Sequence, residues 1–236
     1  MSITNELSKL LQGEGCNIYG FADLRILPAE ARDNYDYGIL IGLSYTKEAM
    51  IENKNHQPQR YYDEMGAINK RLPQLAILIA EFLESQSYAA HAKTPEAVRQ
   101  EKTHVHFNTI LPHKTVATLA GVGWIGKNAM LITKEAGSAL RLVTVLTNAP
   151  LECGTPITKS KCPDGCMMCV NVCPGKAPKG SLWEVGMERE VFFDSEACYA
   201  AARKRCKETL NKDETICGLC MSNCPFTKAG LGMGGQ

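Results

Sequence analysis

The residues best suited to chemistry are two runs of cysteines between positions 162 and 224. The first run contains Cys162, Cys166, Cys169 and Cys173, with Pro174 after it, and the second contains Cys217, Cys220 and Cys224, with Pro225 after it. Chains with two 4Fe-4S clusters use the run C-x2-C-x2-C-x3-C-P, in which the cysteine before proline ligates the other cluster. Here the first copy opens with C-x3-C, and the second lacks its first cysteine. The pattern still predicts two 4Fe-4S clusters.

Crossed ligation divides these cysteines into two sets. Cluster one is expected to be held by Cys162, Cys166, Cys169 and Cys224, and cluster two by Cys173, Cys217, Cys220 and one further cysteine. Cys198 and Cys206 are the candidates for that eighth ligand. Residues 195–210 read as a helix with Asp194 or Ser195 as its cap, and a helix could return either thiol to the site. Cys198 is preferred, and Cys206 stays open.

Two other cysteine-rich architectures compete with this interpretation. Structural zinc sites also use CxxC pairs, and secreted disulfide scaffolds are also rich in cysteine. Zinc sites do not call for proline after the last cysteine of each run, and they rarely space four cysteines this closely. The iron-sulfur interpretation is therefore favoured over both.

The composition describes an ordinary globular chain of 236 residues. It is 44% hydrophobic and 22% charged, and its net charge of +1 gives no global argument for nucleic acid or a membrane as partner. The N-terminus lacks a targeting pattern, and no apolar run approaches the length of a membrane span. We expect a cytoplasmic protein. Ten of the eleven cysteines follow residue 150, which predicts an α/β domain over 1–150 and a cluster domain over 151–236.

Hydrophobic patterns supply the elements of the first domain. We expect a helix over 3–12, strands over 17–24 and 37–45, an amphipathic helix from about residue 68, and a helix over 111–120. The strand over 37–45 is expected in the middle of a sheet. Residues 57–63 are expected to be a loop, and the strands over 129–133 and 141–147 to form a hairpin. His104 and His106 are more typical of surface histidines than of a metal pair.

A glycine-rich turn, AGVGWIGK, follows the helix over 111–120. Gly121, Gly123 and Gly126 would allow the backbone to approach a flat ligand closely, while Trp124 covers it and Lys127 provides a charge. The turn matches neither of the common phosphate-binding motifs. The glycines could also serve turn chemistry alone.

The stretch LPHKTVATLAGVGWIGKNAMLIT, the later GSALRLVTVLTNAPL and the cysteine order together resemble the epoxyqueuosine reductase family. That family and the related reductive dehalogenases join a nitroreductase-like, cobalamin-type α/β domain to a ferredoxin-like domain with two 4Fe-4S clusters. The resemblance implies an α+β fold of this kind. FDSEACYA lies where the family supplies the displaced ligand of cluster two, which supports Cys198.

The resemblance further implies a cobalamin-dependent reductase that receives electrons from a donor such as a ferredoxin or flavodoxin. The clusters would pass these electrons to the cofactor, which acts on a small-molecule or nucleoside-like substrate. The corrin would be lined by Gly121, Gly123, Trp124, Gly126 and Lys127, with Gly137 and Ser138 beside it. Proton donors would be Asp63, Tyr61 or His113.

The sequence departs from the family at three points that bear on the identity of the substrate. The family's catalytic aspartate falls on Thr109, and its Asp-Tyr-His segment appears as Asp63-Glu64-Met65. The helical-repeat domain that follows the cluster module in many members is expected to be missing after Thr227, which argues against transfer RNA as a partner of this chain alone. Two alternatives therefore stay open: a ferredoxin-like electron carrier, and a cobalamin-handling redox protein that serves a partner enzyme.

Overall fold

The computed structural model describes residues 2–100 and 108–233. The architecture is mixed α/β, and the chain forms two compact units that are each built from three segments. Unit 1 comprises Met1–Leu43, Ile68–Val122 and Arg141–Ile157, and unit 2 comprises Ser44–Ala67, Gly123–Leu140 and Thr158–Gln236. His104 and His106 lie outside the described residues.

Unit 1 is built on a four-stranded sheet with the strand order β1-β2-β6-β3. Its strands are β1 (Ile18–Asp23), β2 (Tyr37–Ser44), β3 (Ala90–Lys93) and β6 (Leu140–Thr147). β1 pairs antiparallel with β2, and β3 pairs antiparallel with β6. Residues 38–42 of β2 are all buried, as expected for an interior strand covered on both faces. The prediction that this strand lies in the middle of a sheet is confirmed.

Helices supply the remaining apolar surface of unit 1. They are α1 (Ile3–Gly13), the part of α3 (Gln59–Ser85) from residue 68 onward, α4 (Pro95–Gln100) and α5 (His113–Leu119). On α3, Leu72, Leu75, Ile79 and Leu83 recur at helical spacing and are buried. The helix passes through Pro73 and begins at Gln59, so the loop predicted over 57–63 is wrong from residue 59 onward. The polar composition of residues 57–63 is typical of a loop, but from Gln59 onward these residues form the start of α3.

Unit 2 contains short elements joined by loops. Its helices are α2 (Lys47–Lys54), the start of α3, α6 (Met168–Val172), α7 (Arg189–Phe192), α8 (Ser195–Leu210), α9 (Leu219–Ser222) and α10 (Pro225–Gly230). Its two strands, β4 (Trp124–Ile125) and β5 (Leu131–Ile132), pair antiparallel with each other. The predicted hairpin between 129–133 and 141–147 is therefore wrong, because β5 pairs with β4, whereas β6 joins the sheet of unit 1. Within the described residues, no helix combines the length and apolar character required to cross a bilayer.

Candidate metal centre

A small cavity in unit 2 is lined by the four cysteines assigned to cluster one. Its walls are formed by Cys162, Cys166, Cys169 and Cys224 together with Lys127, Asn128, Ile132, Met168, Pro225 and Phe226. The empty volume is about 310 Å³, including space open to solvent. Cysteines 55 residues apart in sequence, Cys169 and Cys224, thus line one space. The structure brings the predicted set together.

Cys224 is positioned by the proline that follows it. Pro225 occupies the first turn of α10, where its missing N–H costs nothing, and Cys224 caps the helix. Burial raises the pKa of the Cys224 thiol, and the nearby main-chain N–H groups of Thr227 and Phe226 and the Ser138 side chain oppose the rise. The proline noted in the sequence therefore has a local structural role.

The second set of cysteines gathers between α8, α9 and the loop after Cys173. Gly175 packs directly on α8, since a Cβ there would lie 2.5 Å from the Ala197 carbonyl oxygen. This contact places the loop next to the first turn of α8, where Asp194 caps the helix by accepting from the Ala197 N–H at 2.9 Å. Cys198 lies in that same turn.

The mutual charge of the thiols identifies which cysteines of the second set are neighbours. Burial, together with the smaller effects of the charges of Cys173 and Cys217, raises the pKa of Cys198 to about 11. Burial likewise raises the pKa of Cys220 well above its ordinary value, with contributions from Cys217, Cys198 and Cys173. Cys198, the preferred eighth ligand, is thus a neighbour of all three.

Cys206 lies eight residues further along α8 and is fully buried. Burial raises the pKa of the Cys217 thiol, and the charge of Arg205, the buried neighbour of Cys206, opposes that rise. Helix α8 therefore presents a thiol from its first turn and a guanidinium from its third to the same group of cysteines. The identity of the eighth ligand remains a prediction, and the placement of Cys198 favours it.

The donor chemistry of both sets fits thiolate-bound iron. Burial, together with the smaller effects of the charges of Cys162, Cys224 and Cys166, raises the pKa of Cys169 to about 11. Such thiols are protonated near neutral pH unless a cation binds them, so ligation would release protons. Within the described residues, no three Cys, His, Asp or Glu side chains converge on a point that one metal ion could occupy. A cubane has a different requirement, because each thiolate bonds its own iron.

The two sets are also neighbours of each other. The charge of Cys169, from the first set, contributes to the raised pKa of Cys220, from the second. Helices α6 and α9, which carry these two residues, pack together. All eleven cysteines lie in the described part of the chain, and none forms a disulfide.

The glycines of the AGVGWIGK turn make close contacts within the protein itself. A Cβ on Gly123 would lie 2.2 Å from the Ile132 carbonyl oxygen, and one on Gly126 would lie 2.4 Å from the Ile132 side chain. Gly121, in unit 1, has a φ of 70° and would place a Cβ 2.5 Å from the Thr155 carbonyl oxygen. Gly137 would meet Thr227 in the same way. Each glycine is explained by packing or by turn geometry.

The side chains predicted to contact a corrin have partners in unit 2. The Lys127 ammonium donates to the carbonyl oxygens of Asp164 at 2.7 Å and Cys166 at 3.2 Å, so it fastens the loop of cluster one. The Ser138 main-chain N–H donates to Thr227 Oγ1 at 3.0 Å. Trp124 packs edge-on against Phe226, with ring centroids 5.1 Å apart. Its buried indole N–H has no acceptor among the described residues, so it alone offers a donor that a bound group could complete.

The three predicted proton donors have different surroundings. Tyr61 is buried, its ring lies 4.8 Å from that of Tyr45, and it closes on Gly218, between Cys217 and Cys220. His113, in unit 1, is hydrogen-bonded through Nδ1 to Thr144 Oγ1 at 2.9 Å. Burial, together with the smaller effects of the charges of Lys93 and Arg141, lowers its pKa to about 4, so it is neutral near pH 7. Asp63 is exposed and accepts a hydrogen bond from Gln59.

Thr109, which the resemblance places at the position of the family's aspartate, lies in the loop before α5. Sequence reasoning missed Asn53, Asn128 and Arg205, which are buried polar residues of unit 2. Asn128 follows Lys127 in the glycine turn and could have been found from that position. Asn53 and Arg205 lie on ordinary polar helices, α2 and α8, and no local pattern distinguishes them.

Comparison with known proteins identifies relatives of two kinds. No family model matches the chain. An epoxyqueuosine reductase from Atelocyanobacterium thalassa (isolate ALOHA) is 35% identical over 127 residues, which is 50% of this chain and 38% of that protein. The epoxyqueuosine reductase of Lactococcus garvieae (strain Lg2) is 25% identical over 217 residues, 87% of this chain and 56% of that protein. The chain thus spans less than two thirds of the length of these curated relatives.

Solved structures share the fold. An epoxyqueuosine reductase from Bacillus subtilis gives a TM-score of 0.60 at 18% identity, and the match covers 96% of this chain and 65% of that one. A reductive dehalogenase gives 0.64 at 16% identity, covering 93% of this chain and 31% of that one. The resemblance predicted from the sequence is confirmed: the chain is similar in sequence to epoxyqueuosine reductases over part of their length, and it shares a fold with them and with reductive dehalogenases.

Proposed function

We propose that the chain is an iron-sulfur oxidoreductase of the epoxyqueuosine reductase type that binds two 4Fe-4S clusters. The cavity lined by Cys162, Cys166, Cys169 and Cys224 is the observation that carries the proposal. It gathers thiols from both cysteine runs, as crossed ligation requires. Cys173, Cys198, Cys217 and Cys220 would hold the second cluster.

The finer description of the fold belongs to the same proposal. It consists of a nitroreductase-like α/β domain over residues 1–150, followed by a ferredoxin-like domain over 151–236. This division differs from the compact units, which group residues 44–67 and 123–140 of the first domain with the cysteine runs. The similarity in fold to a reductive dehalogenase, whose structure is described as suggesting a mechanism for B12-dependent dehalogenation, supports cobalamin as the acceptor of the electrons.

When bound, the two clusters would take up and release single electrons, and a cobalamin would provide the reducing centre for the substrate. The chain's own residues hold and insulate these sites. Lys127 fixes the Asp164–Cys166 loop, and Tyr61 packs over Gly218 in the Cys217–Cys220 loop. Trp124 offers the indole donor for a bound group. Among the predicted proton donors, Asp63 keeps an exposed carboxylate, whereas Tyr61 is buried.

A nucleoside-like substrate is the choice that the relatives favour. One epoxyqueuosine reductase of this fold, with a TM-score of 0.58, was solved with an epoxyqueuosine-modified stem loop of a tyrosine transfer RNA. Thr109 replaces the aspartate of the family, and a hydroxyl is a weaker proton donor than a carboxyl group near neutral pH. This substitution favours a second candidate function, that of a redox protein that passes electrons to a partner enzyme.

Iron and sulfide analysis after anaerobic reconstitution tests the ligation. The wild type should bind about eight irons per chain, since each cubane holds four. Cys224→Ala should damage the cluster held by the first run, although Cys224 belongs to the second, and Cys206→Ala should leave both clusters intact. Only about four irons in the wild type would reject the two-cluster proposal. Eight irons in Cys198→Ala, together with a loss in Cys206→Ala, would move the eighth ligand to Cys206.

Cobalamin uptake by the reconstituted wild type tests the acceptor. Gly126→Leu is a poor probe, because a side chain there would strike Ile132 and Asn128 in any case. Trp124→Phe is better, since it keeps the ring against Phe226 and removes only the indole donor. We expect weaker cobalamin binding by this variant at unchanged iron content. Absence of binding by the wild type would instead favour the electron-carrier function.

A further inference from the structure

Two buried cations of unit 2 have only neutral partners. Lys127 is 3% exposed, and its ammonium donates to two main-chain carbonyl oxygens. Arg205 is 7% exposed, and one of its terminal nitrogens donates to the main-chain oxygen of Asn53 at 3.3 Å and to Oδ1 of the same residue at 3.1 Å. Among the residues that the structure describes, neither cation forms an ion pair with a carboxylate. Lys93 of unit 1, by contrast, is buried 3.8 Å from Asp33.

A buried charge without a counter-charge is costly, because the protein interior solvates it less well than water does. Carbonyl and amide oxygens compensate only part of that cost. For Arg205 the compensation is incomplete even in hydrogen bonding, since its Nε is buried and has no partner among the described residues. Among the described residues of unit 2, no carboxylate therefore compensates the charge of the Lys127 ammonium or that of the Arg205 guanidinium.

Cysteine sulfur is the nearby group that could carry this negative charge. Lys127 lines the same cavity as the first cysteine set. Arg205 is held by Asn53, whose side chain lies against Gly218, the residue after Cys217 of the second set. Protonated thiols would leave both cations uncompensated. Thiolates that bind a cluster would not, because four thiolates give the whole assembly a net negative charge.

We infer that Lys127 and Arg205 are the counter-charges of the two clusters, Lys127 for cluster one and Arg205 for cluster two. Each raises the reduction potential of its own cluster. An added electron makes a cluster more negative, and a cation held close to it in a poorly polarisable interior stabilises that reduced form. The inference rests on the proposed function, since it requires both clusters to be bound.

The two cations act separately because they lie on different elements. Lys127 lies on the glycine turn and contacts the Asp164–Cys166 loop, whereas Arg205 lies on α8 and contacts Asn53 of α2. They share no described hydrogen-bond partner, so removal of one should leave the potential of the other cluster nearly unchanged. The chain would thereby adjust the potential of each cluster with a separate residue.

The test is a redox titration of the reconstituted protein, followed by electron paramagnetic resonance, on Lys127→Met and Arg205→Met. Each variant is expected to shift the midpoint potential of one cluster to a more negative value, and a different cluster in each case. Signals are assigned with Cys224→Ser for cluster one and Cys217→Ser for cluster two. Asn53→Ala is the matched control, because it removes the side-chain acceptor of Arg205, leaves the main-chain acceptor and keeps the charge, so both potentials should stay near those of the wild type.

Unchanged potentials in both methionine variants, or equal shifts of both clusters in each, would overturn the inference. If a methionine variant fails to retain iron, Arg205→Lys and Lys127→Arg decide between charge and geometry. Recovery of the cluster in these variants supports the counter-charge role. Failure to recover, with both variants folded by circular dichroism, overturns it. A wild type that binds no iron would instead refute the proposed function itself.

Discussion

Gly137→Ala should weaken the structure around Cys224 more than any ordinary glycine substitution. Gly137 has a φ of 56°, in the left-handed region that side chains disfavour. A Cβ at this position would lie 2.1 Å from the main-chain nitrogen of Thr227 and 2.3 Å from its Cα. Both are backbone atoms at the start of α10, directly after Cys224, and they cannot rotate away.

The magnitude follows from these two effects. A non-glycine residue in the left-handed region costs about 1–2 kcal/mol. Forcing an extra methyl group into packed surroundings costs about 1–3 kcal/mol more. We therefore expect a loss of about 2–5 kcal/mol in the free energy of unfolding. Gly186 separates the two effects, since its φ is 87° and a Cβ there would meet nothing within 4 Å. Gly186→Ala should cost only the first, about 1–2 kcal/mol.

Thermal unfolding of the iron-free and reconstituted forms measures both variants, at about 2–4 °C in Tm per kcal/mol for a chain of this size. Gly165→Ala is the neutral control, because Gly165 lacks a positive φ and has open space around its Cα. Iron analysis should show a loss in Gly137→Ala and full content in both other variants. A Tm for Gly137→Ala equal to that of Gly186→Ala would refute the proposed contact with α10.

Three further outcomes are expected. Gly175→Ala should impair cluster two alone, because a Cβ would lie 2.5 Å from the Ala197 carbonyl oxygen and push Cys173 away from α8. An iron content equal to that of Gly165→Ala would contradict this prediction. The His113 pKa of about 4 lies below the ordinary value of 6.5, so the unfolded chain binds the proton first, and urea midpoints should fall as the pH drops from about 6.5 to 4. His113→Gln should flatten that dependence, and an unaltered slope would exclude His113 as its source. In the iron-free protein, Cys169 and Cys198 each have a pKa of about 11. Because the thiolate is the reactive form, both should be alkylated slowly until the pH approaches that value. Alkylation rates at pH 8 that match those of the urea-unfolded chain would contradict the burial of these thiols.

The sequence predicted the parts of the site that depend on local pattern. The cap at Asp194 or Ser195 and the helix pattern predict α8, and the resemblance of FDSEACYA to the family favours Cys198 over Cys206; the structure puts the first turn of α8 beside Cys173. The strand over 37–45 was recognised as interior because it is apolar on both faces. In each case residues close together in sequence carried the information.

Contacts distant in sequence could not be predicted in this way. The hairpin expected after residue 129 was wrong because β5 has only two residues, and its pairing with β4 depends on Gly123, whose missing side chain admits the Ile132 carbonyl. Lys127 was assigned to a ligand because a lysine in a glycine-rich turn commonly binds one, whereas its acceptors are carbonyl oxygens 37 and 39 residues away. Arg205 gave no signal, since a helix that carries several lysines and arginines reads as a solvated surface.

The cavity around the first cysteine set also constrains the order of events during protein synthesis. Its walls include Lys127 and Asn128, Cys162 to Cys169, and Cys224 to Phe226. Residues 224–226 are synthesised last, so the wall that they form is completed only after the other segments have emerged. Closing such a long loop is slower than folding a local helix. Under the proposed ligation, iron delivered before then would find three of its four thiol ligands, so insertion of cluster one would have to follow the synthesis of α10.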